Sequence, residues 1–355
     1  MKKERVFYMD YLRVLAATAV IMVHVAAQDL TGLTGRSPDW HILNVFNSAG
    51  RWCVAVFVMI SGALFLSRDI DIGKLYKKYI PRVLCAYLAW SAFYALAIPL
   101  GRMLLYGEPI VVETLIDGMV WETYHLWFLP MIIGFYMCVP LIRQIVKSEQ
   151  IMKYYLVLSF LFAFVIPQTL QMSRDFIGGG LANALGKVNE VMLSNMHMDL
   201  LLGFSFYAVL GYWLDNVELS KNQRRMIYAL GVLGLLATIL FNGLLAWRSG
   251  EPCYTYYDHF TVNVALQAVA VHTMVKYRKF ENEKWNRVMA ALSRYSFGAY
   301  LIHIFVMSIF SLLGITVRSF MPLIATPIMI AVIFVGSFTA SFIISKIPVL
   351  NKWIV

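Results

Sequence analysis

The sequence predicts an all-α, polytopic integral membrane protein: a single membrane-embedded domain over residues 1–355, with about ten transmembrane helices and both termini cytoplasmic. Three observations predict it. The first is composition: the 355 residues are 60% hydrophobic and only 14% charged, with a mean hydropathy of +0.68. A water-soluble domain of this length does not hide that much apolar surface, so an ordinary cytosolic enzyme, a disordered chain and a disulfide scaffold are excluded. The second is the recurrence of apolar runs long enough to cross a bilayer, roughly 17 to 25 residues each. The third is the alternation of basic and non-basic connecting segments.

The first run, 11–29, follows a basic start and ends near Ala26 and Ala27, as a signal peptide does. Arg13 interrupts it and many further runs follow, so it reads as an uncleaved first helix. The second, 45–67, passes through Phe57 to Ser61 and Gly62 and ends before Arg68. The third, 80–100, is entered from a basic stretch, Lys74, Lys77, Lys78 and Arg82. The fourth, 125–146, opens on His125-Leu126-Trp127-Phe128-Leu129-Pro130. Then come 151–170, an outer loop over 171–198 with Gly178, Gly179 and Gly180, and runs at 199–215, 226–247 and 259–277. The ninth, 296–315, is entered through Arg294 and Tyr295 and carries Tyr300 and His303; the tenth is 322–345. No alternating strand pattern recurs, which excludes a β-barrel. Of the four cysteines, Cys53, Cys85 and Cys138 lie in apolar stretches and Cys253 in a polar loop, with neither disulfide nor metal spacing, and no metal site is expected.

Placing the N-terminus inside puts 22 of the 30 Lys+Arg in inner segments and 7 in outer ones, with Arg13 left within the first span. Glu108, Glu113, Asp117 and Glu122 crowd one outer loop instead. This is the positive-inside signature, and it accounts for the net charge of +10 through orientation and anionic membrane lipids without invoking nucleic acid.

Charged and imidazole side chains within a span cost several kcal/mol by most estimates, and each asks for a partner or a task. Arg13 and His24 are eleven residues apart. At 100° per residue that is three turns plus about 20°, so they share one helix face, about 16 Å apart along the axis. Arg13 falls near the cytoplasmic edge and His24 near mid-membrane. His303, about two and a half turns into its span, and the Ser61-Gly62 pair, about two turns above the inner edge, approach the same depth. Small residues such as Ser61 and Gly62 equally suit close helix packing. Trp127 fits an interfacial belt, and His125 a wet outer rim.

Taken together, Asp10-Tyr11-Leu12-Arg13, His24, Ser61-Gly62, Tyr79-Ile80-Pro81-Arg82, Trp127-Phe128-Leu129 and the Ser296 to His303 stretch resemble the membrane acyltransferase 3 family, from about residue 5 to 345. These are bacterial inner-membrane O-acyltransferases of cell-envelope glycans. The resemblance implies a cytoplasmic acyl-CoA donor, such as acetyl-CoA, used as a co-substrate with no permanently bound cofactor. It also implies a hydroxyl acceptor on a glycan or glycolipid, and His24 and Arg13 as the essential pair. Many members carry arginines where this chain has Lys77 and Lys78.

On that reading His24 is a general base, or in an alternative route carries the acyl group as a covalent acyl-imidazole, and Asp10 steadies Arg13 at i,i+3. Lys74, Lys78 and Arg82 hold the donor's phosphates at the inner rim, Trp127 is a further donor-binding residue, and Ser61, Tyr300 or His303 donates to the thioester carbonyl oxygen. The alternative is a secondary transporter with His24 and Arg13 lining its pathway. Against it stand the absence of matching broken spans and of deep acidic residues other than the edge positions Asp10 and Asp199.

Overall fold

The computed structural model describes residues 6–111, 124–188, 195 and 203–353, and all regular structure among them is helical. Lys2, Lys3 and Arg5 of the inner charge set, Glu113, Asp117 and Glu122 of the acidic loop, and Asp199 lie outside the described residues.

In chain order the helices are α1 (Phe7–Ala27), α2 (Pro38–Gly50) and α3 (Cys53–Leu66). A turn, Ile72–Lys74, runs through a π-helical stretch, Leu75–Tyr79, into α4 (Ile80–Tyr106), and a 3₁₀ turn, Tyr124–Trp127, leads into α5 (Phe128–Val146). They continue with α6 (Glu149–Phe160), α7 (Ile166–Met172), α8 (Gly179–Val188), α9 (Phe204–Asn216) and α10 (Lys221–Ser249). The last four are α11 (Val262–Lys276), α12 (Glu283–Leu312), α13 (Pro322–Ile344) and α14 (Pro348–Trp353).

Eight helical stretches among the described residues are long and apolar enough to cross a bilayer, beginning with Phe7–Gly32 and ending with Pro322–Ile344. They cover eight of the ten expected runs. The other two, 199–215 and 259–277, contain α9 and α11, of 13 and 15 residues. At 1.5 Å per residue those helices reach about 20 Å, short of a roughly 30 Å hydrocarbon core.

The chain packs as two compact units, one of residues 1–32, 70–139 and 280–355, the other of 33–69 and 140–279. In the first, α12 lies against α13, α1 packs on both, and α4 packs on α12. No Gly or Pro interrupts α1, Asp10 sits in its first turn where the helix dipole favours an anion, and Thr18 turns its hydroxyl back to the Val14 carbonyl at 2.9 Å. Asn282 caps α12 by accepting from the Trp285 amide at 3.1 Å. The Tyr11 hydroxyl then ties α1 to Asn286 of α12 at 3.1 Å.

In the second unit α3 and α9 meet backbone to backbone. A Cβ on Gly62 would lie 2.0 Å from the Ala208 carbonyl oxygen, and one on Gly211 2.2 Å from that of Met59. Only glycine permits this approach. Between α10 and α11 the contact is polar as well: the Asn263 and Gln267 amides both donate to the Thr238 hydroxyl, at 2.7 and 2.9 Å. Interhelical hydrogen bonds of this kind satisfy groups that hydrocarbon cannot. Arg51, counted from sequence as an outer-loop charge, stacks over the Tyr257 ring at 4.3 Å and donates from Nε to Asn47 at 2.6 Å.

Candidate active site

The candidate site lies wholly within the first unit. Helix α1 brings Asp10, Arg13 and His24, α12 brings Tyr300 and His303, and the 3₁₀ turn before α5 brings His125 and Trp127. The His24 ring stands 5.0 Å from that of His303 and 6.5 Å from that of His125, centroid to centroid. His125 and His303 are 5.4 Å apart. Three imidazoles from separate parts of the chain thus stand together, with His303 fully buried and His24 partly exposed.

Hydrogen bonds fix the surrounding groups. His303 points Nδ1 at the carbonyl of Tyr300, one turn back on α12, at 2.5 Å. The Tyr300 hydroxyl donates to the His125 carbonyl, which locks the 3₁₀ turn onto α12. His125 places Nε2 3.4 Å from the Leu301 carbonyl. Tyr94 of α4 bonds its hydroxyl to the side of α12, donating to the Leu301 carbonyl at 2.7 Å and accepting from the Phe305 amide at 3.2 Å. Its ring meets His125 edge-on at 4.9 Å.

Toward the start of α1, Asp10 is 4% exposed and pairs with Arg13 at 3.7 Å. Tyr136 of α5 lies within electrostatic range of Arg82 and Arg13, and its ring is 6.3 Å from that of Tyr79. Helices α1, α4 and α5, with the π-helical stretch before α4, therefore gather two guanidinium groups and two phenols at this end. Lys74 and Lys78 sit exposed on the turn and the π-helical stretch before α4, with the Lys78 ammonium 6.0 Å above the Tyr79 ring. Local π-helical winding rotates the following side chains relative to an unbroken helix, and here it ends on Tyr79 and precedes Arg82. Trp127 is 40% exposed; its ring is 6.3 Å from Phe128, which in turn is 5.8 Å from Tyr300.

Of the residues singled out from sequence, His24, Tyr300 and His303 come together, and Arg13, Asp10 and Arg82 share the other end. Ser61 belongs to the second unit, where its hydroxyl donates to the Phe57 carbonyl of its own helix at 2.9 Å and the adjoining Gly62 packs on α9. Sequence reasoning missed three side chains: His125, expected at a wet rim but only 2% exposed, Tyr94 and Tyr136. His125 had a legible signal, an imidazole at the mouth of an apolar run. Tyr94 and Tyr136 had none, because an isolated tyrosine in a span matches many ordinary packing positions.

No group of three or more metal-ligating side chains occurs among the described residues. The chemistry on offer is that of imidazoles and phenols in a largely buried setting, with the guanidinium of Arg13 on the helix that carries His24. A family described as an acyltransferase domain, acyltransferase 3, matches residues 6–346. The chain belongs to that family. Comparison with curated proteins and with solved structures gives no match.

Proposed function

We propose that this protein is a membrane O-acyltransferase that moves an acyl group, in the first instance acetyl, from cytoplasmic acyl-CoA to a hydroxyl of a cell-envelope glycan or glycolipid. Family membership supports the transferase class and the apolar helices a multi-pass membrane setting. The observation that carries the finer reading is the meeting of His24 with His303 and His125, on the same helix that bears Arg13 three turns nearer the N-terminus.

In this reading the nucleotide and phosphates of the donor stay at the basic end. Arg82 and Arg13 offer planar forks suited to phosphate oxygens, and Lys74 and Lys78 offer point charges. Asp10 holds Arg13 in place. The pantetheine arm extends along α1 and delivers the thioester near His24. A neutral imidazole there takes the proton of the acceptor hydroxyl as its oxygen bonds to the carbonyl carbon, a contribution of about 10² to 10⁴ in rate for general base catalysis. The proton then leaves with the sulfur, giving CoA thiol and an O-acyl ester. The setting is a bacterial cytoplasmic membrane, with donor entering from one side and acceptor from the other.

The test uses inside-out membrane vesicles carrying the protein and native envelope glycans, supplied with radiolabelled acetyl-CoA. Wild type transfers label to the glycan fraction, and His24→Ala loses transfer by about 100-fold or more at equal expression. Near-normal transfer by His24→Ala ends the proposal. Uptake of a solute without any acylated product favours the transporter instead.

A further inference from the structure

We infer that Gln28 and Asp29 form the subsite that receives the acceptor, by accepting hydrogen bonds from hydroxyls of a sugar ring that flank the one to be acylated; the inference rests on the reading of His24 as the base. Both residues close α1 within the first unit, which also holds His24. Gln28 is the C-cap, its amide donating to the His24 carbonyl at 3.1 Å. Four residues turn a helix through about 400°, so Gln28 lies on the His24 face, one turn and about 6 Å farther from the N-terminus. Asp29 follows it, and the 3₁₀ turn Leu30–Gly32 leads away.

Neither side chain helps to hold the helix. Gln28 Oε1 and Asp29 Oδ2 are buried atoms that meet no hydrogen-bond partner among the described residues. A buried acceptor without a donor destabilises the fold. Asp29 adds a second cost, since a negative side chain at a helix C-terminus opposes the dipole where a cation is favoured. Two unfavourable placements on adjacent residues, one turn from the proposed base, point to donors that arrive with the substrate. Both residues are partly exposed and their terminal torsions are soft, so a small rotation offers either oxygen to a ligand. The turn beyond leaves room: Thr31 and Gly32 are exposed, and a Cβ on Gly32 would meet nothing within 4 Å.

Two oxygens that accept select a ligand that donates twice and still carries a hydroxyl to react. A sugar ring does this with hydroxyls on neighbouring carbons, each free to donate to one oxygen while the next faces the His24 imidazole. Holding the ring at two points fixes the reacting hydroxyl in distance and direction, which is how positioning turns binding into rate. A water molecule or a simple alcohol has one hydroxyl, and cannot pair both oxygens while reacting. It leaves Gln28 and Asp29 without donors, the condition under which a site built to hydrogen-bond a hydroxyl rejects a substrate that lacks it. The same subsite therefore favours transfer to the glycan over loss of the acyl group to water.

The experiment uses the purified protein with radiolabelled acetyl-CoA and, as acceptor, the glycan fraction extracted from the envelopes described above, varied in amount. Gln28→Leu and Asp29→Ala are each expected to raise the half-saturating amount of glycan about tenfold or more, with KM for acetyl-CoA within about twofold. Because each removes an unpaired acceptor, Tm in detergent is expected to stay equal to wild type or rise. A lower Tm with both KM values raised together marks a purely structural role and overturns the inference, as does an unchanged dependence on glycan. A binding readout stands beside the kinetics: the glycan fraction is expected to raise the Tm of wild type and to leave that of Asp29→Ala in place, and an equal rise in both overturns the subsite. Wild-type kinetics in both variants, with His24→Ala inactive, overturns the subsite alone and leaves the base assignment standing. Absence of transfer by wild type, or full transfer by His24→Ala, overturns the functional reading and the subsite with it.

Discussion

At the scale of single residues, the candidate site is tied together by side chains that hydrogen-bond to backbone carbonyls of α12. Tyr94 is the clearest case, because its hydroxyl bridges the Leu301 carbonyl and the Phe305 amide. Tyr94→Phe leaves those helix groups without the bridge next to His303. The expected cost is about 1–3 kcal/mol of stability, seen as a lower melting temperature in detergent together with reduced transfer. An unchanged Tm and unchanged rate dismiss the bridge as incidental. Arg13 stands at the other end of the candidate site. Replacing its fork by lysine or alanine is expected to weaken acetyl-CoA binding by about tenfold or more, the value of a charge-assisted hydrogen bond, while expression is kept. CoA affinity measured by calorimetry decides it, and equal affinities in wild type and Arg13→Ala remove Arg13 from the donor site.

At the scale of elements, backbone approach and helix termination carry the load. The α3 and α9 pair tolerates no side chain at Gly62 or Gly211, since an added Cβ falls 2.0 and 2.2 Å from a partner carbonyl. Gly62→Val is therefore expected to force the helices apart and cost about 1–3 kcal/mol or more. Normal melting of that variant contradicts the packing. Because Ser61 bonds to Phe57 on its own helix, Ser61→Ala is expected to leave transfer within about twofold, which the vesicle assay reads directly. The end of α9 is held from outside: the Lys276 ammonium donates to the carbonyls of Leu214, Asp215 and Val217 at 2.8, 3.0 and 2.8 Å. Those are orphan carbonyls of a helix C-terminus, where a cation also meets the dipole. In the connection between α3 and α4, the Arg143 guanidinium hydrogen-bonded to Asp69 holds that carboxyl below its ordinary range. A depressed carboxylate adds stability above its unfolded pKa and loses it as pH falls through the folded one. Asp69→Asn is thus expected to remove a small acid-side dependence of Tm, and coincident Tm–pH curves for the two proteins count against the pair.

At the scale of the whole molecule, the basic segments predict topology. Single cysteines placed near Lys147, Arg225 or Lys279 are expected to be shielded from a membrane-impermeant thiol reagent added to intact cells, and one at Glu108 to react. Labelling at Arg225 with none at Glu108 inverts the orientation and, with it, the side from which a donor reaches Arg13. Among the described residues, composition and helix length diverge at two of the ten apolar runs. The runs at 199–215 and 259–277 are apolar enough to be read as spans, yet α9 and α11 are short and largely buried against α3 and α10. Burial within protein and burial in lipid select the same residue types, so hydropathy does not separate them.

The sequence by itself determined that this chain is helical and membrane-bound, and that Arg13 and His24 share a helix face. It also carried the motifs by which family membership was anticipated. Those properties follow from composition, from 3.6-residue periodicity and from local order along one segment. Only the tertiary structure decided that His24 meets His303 and His125, that Tyr94 bonds to the side of α12, and that Ser61 belongs to the other unit. Such neighbours are hundreds of residues apart in the chain, and what brings them together is the packing of α1, α4 and the turn before α5 onto α12, which no local pattern encodes.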